Sequence, residues 1–241
     1  MNLLLIEPEE INSDGEATLE GRRAKHIHDV LRVEPRDSLR AGVLNGRLGQ
    51  AHLLKVEKEE VRVRFEALTD PPPPLNVKLV LALPRPKVFK RVLANATSLG
   101  IKDIILLNAY RVEKAYWSSD RVTPECIREC SLLGLEQAGD TQMPKVKLER
   151  LFKPFIEDRF AEFSKDTRAL VAHPAAAAEA PKTLSQPLTI VIGPEGGFIP
   201  YEVELLQKAG VEPIRLGPRI LKVETALAYL CGRLAGISCT H

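Results

Sequence analysis

The sequence contains no hydrophobic run long enough to cross a membrane, since a transmembrane helix needs about 18 or more consecutive apolar residues. The first residues, MNLLLIE, lack the basic start of a secretory signal and predict a β-strand instead. We therefore expect a protein without a membrane segment that works in the cytoplasm.

Cysteine is scarce, with four residues at positions 126, 130, 231 and 239. Without a secretory signal we expect them to be reduced. Cys126 and Cys130 lie four residues apart on a predicted helix, but no second cysteine or histidine pair has the spacing of a zinc finger, so no metal site is expected. The net charge of +2 neither requires nor excludes a nucleic-acid partner, because a local basic surface decides that.

Four consecutive prolines at residues 71–74 mark the clearest boundary in the chain. Proline fits neither a helix interior nor a central strand, and a proline run favours a stiff, extended linker. The sequence therefore predicts a first domain over residues 1–70 and a second over residues 75–241.

The first domain is predicted to be mostly β. The predicted strands are residues 3–6, 38–43, 48–56 and 61–65, with Asn45-Gly46 as a turn between the second and third. Residues 22–32 carry apolar side chains at helical spacing. A small β-barrel with one short helix fits this pattern.

The second domain alternates between short apolar runs and helical stretches, which indicates an α/β domain with a mostly parallel sheet. The predicted strands are residues 77–83, 103–107, 169–172, 188–192 and 212–216, and the predicted helices are residues 88–99, 124–138, 152–163, 201–209 and 224–235.

The sequence GPEGGF at residues 193–198 follows a predicted strand and precedes a helix that begins near Pro200. Glycines there permit positive φ and a close approach of a ligand to the backbone, although a purely structural turn has the same composition. The loop lacks the Gly-Lys-Ser/Thr ending of a phosphate loop and the G-x-G-x-x-G pattern of dinucleotide sites. Nucleoside triphosphates and NAD are therefore poorly supported as ligands.

A second loop, LGPRIL at residues 216–221, follows the next predicted strand and leads into the last helix. Two such loops at the carboxyl ends of strands are expected to line one pocket. The apolar side chains of Leu216, Ile220 and Leu221 suit an adenine ring better than a triphosphate.

Together these segments resemble a known family. IGPEGGF at 192–198 and LGPRILKVETA at 216–226 look like the signature of the SPOUT-superfamily methyltransferases, and are most similar to the family that methylates uridine N3 in 16S ribosomal RNA. LALP at 81–84 with Lys87, and LEQAG at 135–139, resemble other parts of that catalytic domain. HIHDVLR at 26–32 resembles the helix of its PUA-like barrel, so the likeness covers nearly the whole chain.

The resemblance implies an α/β protein with an N-terminal PUA-like β-barrel over residues 1–70, a proline linker at 71–74 and a SPOUT domain over residues 75–241. That domain would end in a C-terminal trefoil knot, an exception to the rule that chains avoid threading. It also implies S-adenosylmethionine as the cofactor, 16S ribosomal RNA of the small ribosomal subunit as the partner, and a homodimer formed through the knot region.

The resemblance also implies which residues act. Arg219 and Lys222 would stabilise the charge that develops on the base, and Glu195 or Glu224 would act as a base or only orient neighbouring groups. A knot-bracing salt bridge for Arg219 and a helix-dipole role for Glu224 are the alternatives. The residues expected to line the cofactor site are His173, Ile192, Gly193, Glu195, Gly196, Gly197, Leu216, Gly217, Ile220, Leu221, Val223 and Ala226. The residues expected to contact RNA are Arg22, Arg23, Lys25, His26, Arg32, Arg85 and Lys87.

The sequence departs from the family pattern at three places. Lys222-Val223 stands where the family commonly has Arg-Thr, Asp140 stands where an arginine is usual, and leucines fill positions 3–5 where the family has an early arginine. Two alternative functions therefore stay open: a SPOUT enzyme with another RNA target, such as a ribose 2′-hydroxyl, and a non-catalytic RNA-binding factor in ribosome assembly.

Overall fold

The computed structural model describes residues 2–31 and 33–235, which divide into two units. The first unit contains the chain up to Pro73 together with Leu132–Met143. The second contains Pro74–Ser131 and the chain from Pro144 onward. The first unit therefore includes one segment from beyond the proline run, Leu132–Met143.

The first unit is a five-stranded mixed sheet with one helix. Its strands are β1 (Leu4–Ile6), β2 (Glu16–Glu20), β3 (Ser38–Val43), β4 (Leu48–Val56) and β5 (Glu60–Thr69), in the order β1-β3-β4-β5-β2. β1 is parallel to β3, and the other pairs are antiparallel. Helix α1 (Gly21–His26) continues into one π-helical turn, Ile27–Leu31. The predicted strands at 38–43 and 48–56 are confirmed, whereas β2 was not predicted.

Buried and outward-facing side chains alternate along β5, as the sequence predicted for residues 61–65, and the buried ones belong to the core of this unit. Val61 and Val63 are buried, while Arg62 and Arg64 face outward and form ion pairs with Glu16 on β2. The buried side chains of α1 and the turn after it, Ala24 and Ile27, pack against the same core.

The segment Leu132–Met143 completes a second small core of the first unit. Leu135 is fully buried with Leu3, Leu5 and Leu48. Hydrogen bonds between this segment and the Asn45-Gly46 turn add to the packing: the Asn45 N–H donates to the Thr141 carbonyl at 2.8 Å, and the Thr141 hydroxyl donates to the Gly46 carbonyl at 2.6 Å. Asn45 has a φ of 58°, as a tight turn at this position requires.

The second unit is built on a six-stranded sheet in which every neighbouring pair is parallel. Its strands are β6 (Val77–Ala82), β7 (Asp103–Leu107), β8 (Lys145–Glu149), β9 (Arg168–Ala172), β10 (Leu188–Ile192) and β11 (Glu212–Ile214). Their order is β11-β9-β10-β6-β7-β8. The predicted strands at 103–107 and 188–192 are confirmed, and β8 was not predicted.

Within the described residues, six α-helices accompany these strands. They are α2 (Pro86–Ser98), α3 (Pro124–Ala138), α4 (Phe152–Asp158), α5 (Phe160–Phe163), α6 (Pro200–Lys208) and α7 (Val223–Leu234). The part of α3 from Leu132 on belongs to the first unit. The prediction of one helix over residues 152–163 was wrong, because Arg159 leaves the helical region, with a φ of −125°, and separates α4 from α5. Gly210 follows the end of α6 with a φ of 85°, a conformation that suits glycine at this position.

The central strands β10, β6 and β7 are covered on both faces, which explains their nearly continuous apolar sequence. Phe89 and Leu93 of α2 and Leu227 of α7 are fully or almost fully buried in the core that covers this sheet. The outer strand β8 has no fully buried residue and alternates between charged and apolar side chains. The most deeply buried part of this sheet therefore consists of β10, β6 and β7.

Candidate active site

Loops that follow strands of the parallel sheet enclose a cavity of ≈ 620 Å³ in the second unit. Because all strands run in one direction, the loops after β6, β7, β9, β10 and β11 leave the same edge of the sheet. The cavity is lined by Arg85, Val88, Arg91, Arg111, Ala172, His173, Pro174, Ala175, the loop 192–198, Leu216, Gly217, the segment 219–224 and Ala226.

The first loop of the cavity leaves the end of β10 and enters α6. Gly193 lies so close to Phe198 that a Cβ atom added there would be 3.1 Å from the phenyl ring. Gly197 has a φ of 73°, and its N–H donates to the Pro194 carbonyl at 2.7 Å. Pro200 occupies the first turn of α6, as predicted. The glycines are thus required by a tight turn and a close internal contact.

The second loop connects β11 to α7. Gly217 has a φ of 119°, which only glycine adopts without strain, and a Cβ atom there would meet no other atom within 4 Å. Lys222 is the N-cap residue of α7, and Val223, the first helical residue, is buried. Ile220 projects into solvent, with 83% of its surface exposed. The loop therefore presents backbone and apolar side chains to the cavity while its basic side chains stay accessible.

His173 follows β9 at the third side of the cavity. Its backbone N–H donates to the Ile214 carbonyl at 2.9 Å, which continues the β9–β11 ladder, and its carbonyl accepts from Ala176 in a turn. The backbone of His173 therefore has a structural role.

Five basic side chains line the cavity, and only Arg91 forms an ion pair within the described residues. Arg91 donates to Glu224 at 2.6 Å. The pKa of Glu224 is lowered, first by a hydrogen bond from its own backbone N–H and then by Arg91, against an opposing effect of burial. Glu224 is therefore an ionised carboxylate in the first turn of a helix, where negative charge is favourable.

Two carboxylates of the segment that follows β10 bind backbone groups of neighbouring loops. Glu195 accepts a hydrogen bond from the Arg85 N–H at 3.0 Å. Glu202, only 3% exposed, accepts from the N–H groups of Tyr110 at 2.7 Å and Ile199 at 3.0 Å. These contacts join the loops after β6 and β7 to the loop after β10.

The structure gathers every residue predicted to bind the cofactor or to act in catalysis around this one cavity. Arg85, predicted to contact RNA, also lines it, whereas Lys87 is an exposed residue of the first turn of α2 outside the lining. The sequence analysis missed Arg111 and Phe198 as lining residues. Phe198 was detectable as the last residue of the glycine motif, and Arg111 carried no motif at all.

The residues predicted to contact RNA in the first unit have different surroundings. The Arg23 guanidinium binds Glu10 and donates to the Leu5 carbonyl at 2.9 Å, so it joins α1 to β1. Arg22 forms an ion pair with Glu136 but stays more than half exposed. Lys25 is exposed and His26 half-buried. Arg32 lies outside the described residues.

Within residues 2–31 and 33–235, no three His, Cys, Asp or Glu side chains come together as metal ligands. In the same part of the chain, no helix combines the length and apolar character that crossing a membrane requires.

Comparison with known proteins gives consistent matches. Residues 71–235 match the family model of an RNA methyltransferase domain. The chain is 31% identical to the ribosomal RNA small subunit methyltransferase E of Treponema pallidum, over 96% of this chain and 89% of that protein. It is 28% identical to the Bacillus subtilis protein of the same name, over 88% and 86% of the two chains.

The fold also matches a solved structure along its whole length. The ribosomal RNA small subunit methyltransferase E of Neisseria gonorrhoeae, crystallised bound to S-adenosylmethionine, superposes with a TM-score of 0.75. The match covers 99% of this chain and 100% of that one, at 22% identity.

Proposed function

The chain belongs to the ribosomal RNA small subunit methyltransferase E family of RNA methyltransferases, and we propose that it methylates N3 of a uridine in 16S ribosomal RNA with S-adenosylmethionine as the methyl donor. The observation that carries this proposal is the cavity between the loops 193–198 and 216–222. Its lining combines glycine backbone, apolar side chains and, besides Arg91, four cations that form no ion pair among the described residues. A nucleoside-bearing cofactor and an anionic substrate require this combination.

The residues of the cavity fit S-adenosylmethionine. A volume of ≈ 620 Å³ falls within the range of about 300–1,000 Å³ that is usual for small-molecule sites. Gly197 and Gly217 leave open space where a side chain would otherwise stand. Ile192, Leu216 and Ala226 supply apolar surface for an adenine ring. When bound, S-adenosylmethionine supplies an electrophilic methyl group.

Cations of the second loop would activate the uridine. N3 of uridine is a poor nucleophile until it loses its proton, which would pass to water because neither Glu195 nor Glu224 is assigned as the base, and the resulting charge spreads over O2 and O4. Arg219 and Lys222 form no ion pair among the described residues, so their charge is available to stabilise that anion. Alignment of the base with the methyl group would supply much of the remaining acceleration.

Glu224 is assigned a positioning role instead of a proton-accepting one. Its lowered pKa makes the carboxylate a weak base, because basicity falls with the pKa of the conjugate acid. Its hydrogen bond with Arg91 links the start of α7 to α2. Glu195 is likewise engaged by the Arg85 N–H, which favours an orienting role.

RNA contacts are proposed for exposed or half-buried basic residues of both units. In the first unit these are Arg22, Lys25 and His26, and in the second Arg85 and Lys87. Such side chains bind phosphates and position the protein without reading sequence. Arg23 is not proposed to contact RNA, because its guanidinium already binds Glu10 and the Leu5 carbonyl.

We further propose that residues 1–70 form a PUA-like barrel, that residues 71–74 link it to a SPOUT domain over residues 75–241, and that this domain ends in a trefoil knot. The contacts between the segment after β9 and the last helix support the knot. The Arg233 guanidinium donates to the Ala180 and Pro181 carbonyls, and the Leu184 N–H donates to the Leu234 carbonyl at 2.9 Å.

A homodimer through the knot region is proposed on the exposed apolar surface of Ile220 and Tyr229. The small ribosomal subunit is the proposed partner, and the cytoplasm is therefore the proposed location of the protein.

Two measurements test the proposed function. Calorimetry of the pure protein is expected to show binding of S-adenosylmethionine, and its absence would favour the non-catalytic assembly factor. Mass spectrometry of 16S ribosomal RNA from a deletion strain is expected to show the loss of one N3-methyluridine, restored by the intact gene but not by a Gly196→Arg variant. Loss of a ribose 2′-O-methyl mark instead would replace the proposed target.

A further inference from the structure

The loop after β7 is fixed against the glycine loop by a buried carboxylate. Burial of an ionised carboxylate is costly unless hydrogen bonds compensate. Glu202 meets that requirement with two backbone N–H groups, one from Tyr110 in the loop after β7 and one from Ile199 at the start of α6. The loop after β7 therefore has a defined position relative to the glycine loop.

Arg111, the next residue of this loop, lies directly on the glycine loop. Its guanidinium donates a hydrogen bond to the Gly196 carbonyl. Its aliphatic part packs so closely that a Cβ atom on Gly196 would be 3.0 Å from Arg111 Cδ. Arg111 lines the cavity, is exposed, and forms no ion pair with a carboxylate within residues 2–31 and 33–235. One hydrogen bond leaves most of its donors available.

The strand order divides the cavity into two sides. The loops after β9, β10 and β11 follow the strands at one end of the order β11-β9-β10-β6-β7-β8 and carry most of the apolar lining together with Arg219 and Lys222. The loops after β6 and β7 come from the adjacent strands and contribute Arg85 and Arg111. An adenosine-containing cofactor fits the apolar lining of the first side, which leaves Arg85 and Arg111 on the second side for the nucleic acid.

We propose that Arg111 binds a backbone phosphate beside the target uridine, and that Glu202 is a positioning residue that holds Arg111 in place. This inference rests on the proposed function. A phosphate contact suits the exposure of Arg111, because a backbone phosphate is bound at the surface of the protein by basic side chains that solvent can reach. The planar guanidinium also matches the geometry of phosphate oxygens.

Steady-state kinetics of Arg111→Ala on unmethylated small ribosomal subunits, at several salt concentrations, tests the phosphate contact. The expected result is a KM for subunits raised about tenfold and a salt dependence of log KM reduced by about one unit in slope. The Kd for S-adenosylmethionine and the pH profile of kcat stay unchanged, and Arg111→Lys recovers part of the KM. Lys208→Ala, which removes an exposed charge from α6 away from the cavity, is the matched control.

Glu202→Gln tests the positioning role, since the amide keeps the size of the side chain but cannot accept both N–H groups equally well. We expect a raised KM for subunits and no additional effect when Glu202→Gln is combined with Arg111→Ala. If Glu202→Gln does not fold, Arg111→Ala alone still decides the phosphate contact.

The possible failures are distinguishable. An unchanged KM and salt slope in Arg111→Ala, with normal cofactor binding, overturns this inference and leaves the proposed function standing. A shifted pH profile of kcat replaces the phosphate contact with a contact to the base. A wild-type protein that does not bind S-adenosylmethionine overturns the proposed function itself.

Discussion

Arg91 on α2 donates a hydrogen bond of 2.6 Å to Glu224 in the first turn of α7. The contact joins the helix that follows β6 to the helix that follows the second cavity loop. Because Arg91 is 60% exposed and Glu224 only 17%, the carboxylate is the better-shielded partner. The stability of this corner of the cavity should therefore depend on the ionisation of Glu224.

Glu224→Gln is expected to destabilise the protein by about 1 kcal/mol at pH 7, the usual loss for a charge-assisted hydrogen bond with one exposed partner. The pKa of Glu224 is lowered from its usual 4.5, so the stabilisation is complete above that pH and disappears as the pH falls through the lower, folded-state value. Urea unfolding of wild type and variant from pH 7 to pH 3.5 measures the difference. Glu204→Gln, on the exposed face of α6, should show no such trend; a gap between Glu224→Gln and wild type that persists at the acid end would contradict the assignment.

Gly196→Arg is expected to abolish cofactor binding. A side chain at this position first meets Arg111, at 3.0 Å from its Cδ, and the remaining atoms of the new arginine must then occupy the cavity. Calorimetry should show a Kd for S-adenosylmethionine raised at least about 100-fold, which corresponds to roughly 2.7 kcal/mol. Ala177→Arg adds the same side chain at an exposed position outside the lining and should bind normally. Normal binding by Gly196→Arg would place the cofactor elsewhere.

Val223→Thr restores the hydroxyl that the family commonly has, yet we expect it to destabilise this protein by about 1–2 kcal/mol. Val223 is 5% exposed, so the new hydroxyl enters a site shaped for a methyl group. Thermal unfolding measures the loss, and kcat is expected to stay unchanged. A rise in kcat would instead identify the hydroxyl as a missing part of the reaction machinery.

The thiols of Cys130 and Cys231 are expected to resist alkylation in the folded protein. Burial raises the pKa of each to about 12, with a further contribution from Cys126 at Cys130. Few thiolates therefore exist at pH 8, and neither sulfur is accessible. Iodoacetamide treatment followed by mass spectrometry should label both only after unfolding in guanidinium chloride. Rapid labelling in buffer would reveal local opening of α3 or α7.

Strands with continuous apolar runs could be predicted from the sequence because burial on both faces leaves a strong pattern, as β7 and β10 show. β2 could not, because only Ala17 and Leu19 point inward among charged and polar neighbours. β8 alternates lysine and glutamate with two apolar side chains, a pattern that an exposed loop shares. The break between α4 and α5 depends on the backbone of one residue, Arg159, which no periodicity reveals.

Some residues of the candidate site could be predicted from a local sequence motif, whereas others are placed only by contacts between distant parts of the chain. The loops after β10 and β11 could be recognised in the sequence by their glycines, because Gly197 and Gly217 adopt positive φ. No sequence motif identifies Arg111 as a residue of the site. Its position follows from the hydrogen bond between Tyr110 and Glu202, which are 92 residues apart in sequence. Contacts of that kind become visible only once the sheet order is known.

The first unit has a consequence for how the protein is made. Leu135 fills the space between Leu3, Leu5 and Leu48, so the N-terminal sheet lacks part of its interior until the segment ending at Met143 has been synthesised. Domains usually fold as they emerge from the ribosome. Here the nascent N-terminal sheet leaves apolar side chains exposed while Pro74–Ser131 of the other unit is translated. A fragment that ends at the proline run, residues 71–74, would expose the same apolar surface permanently, and we therefore expect it to aggregate.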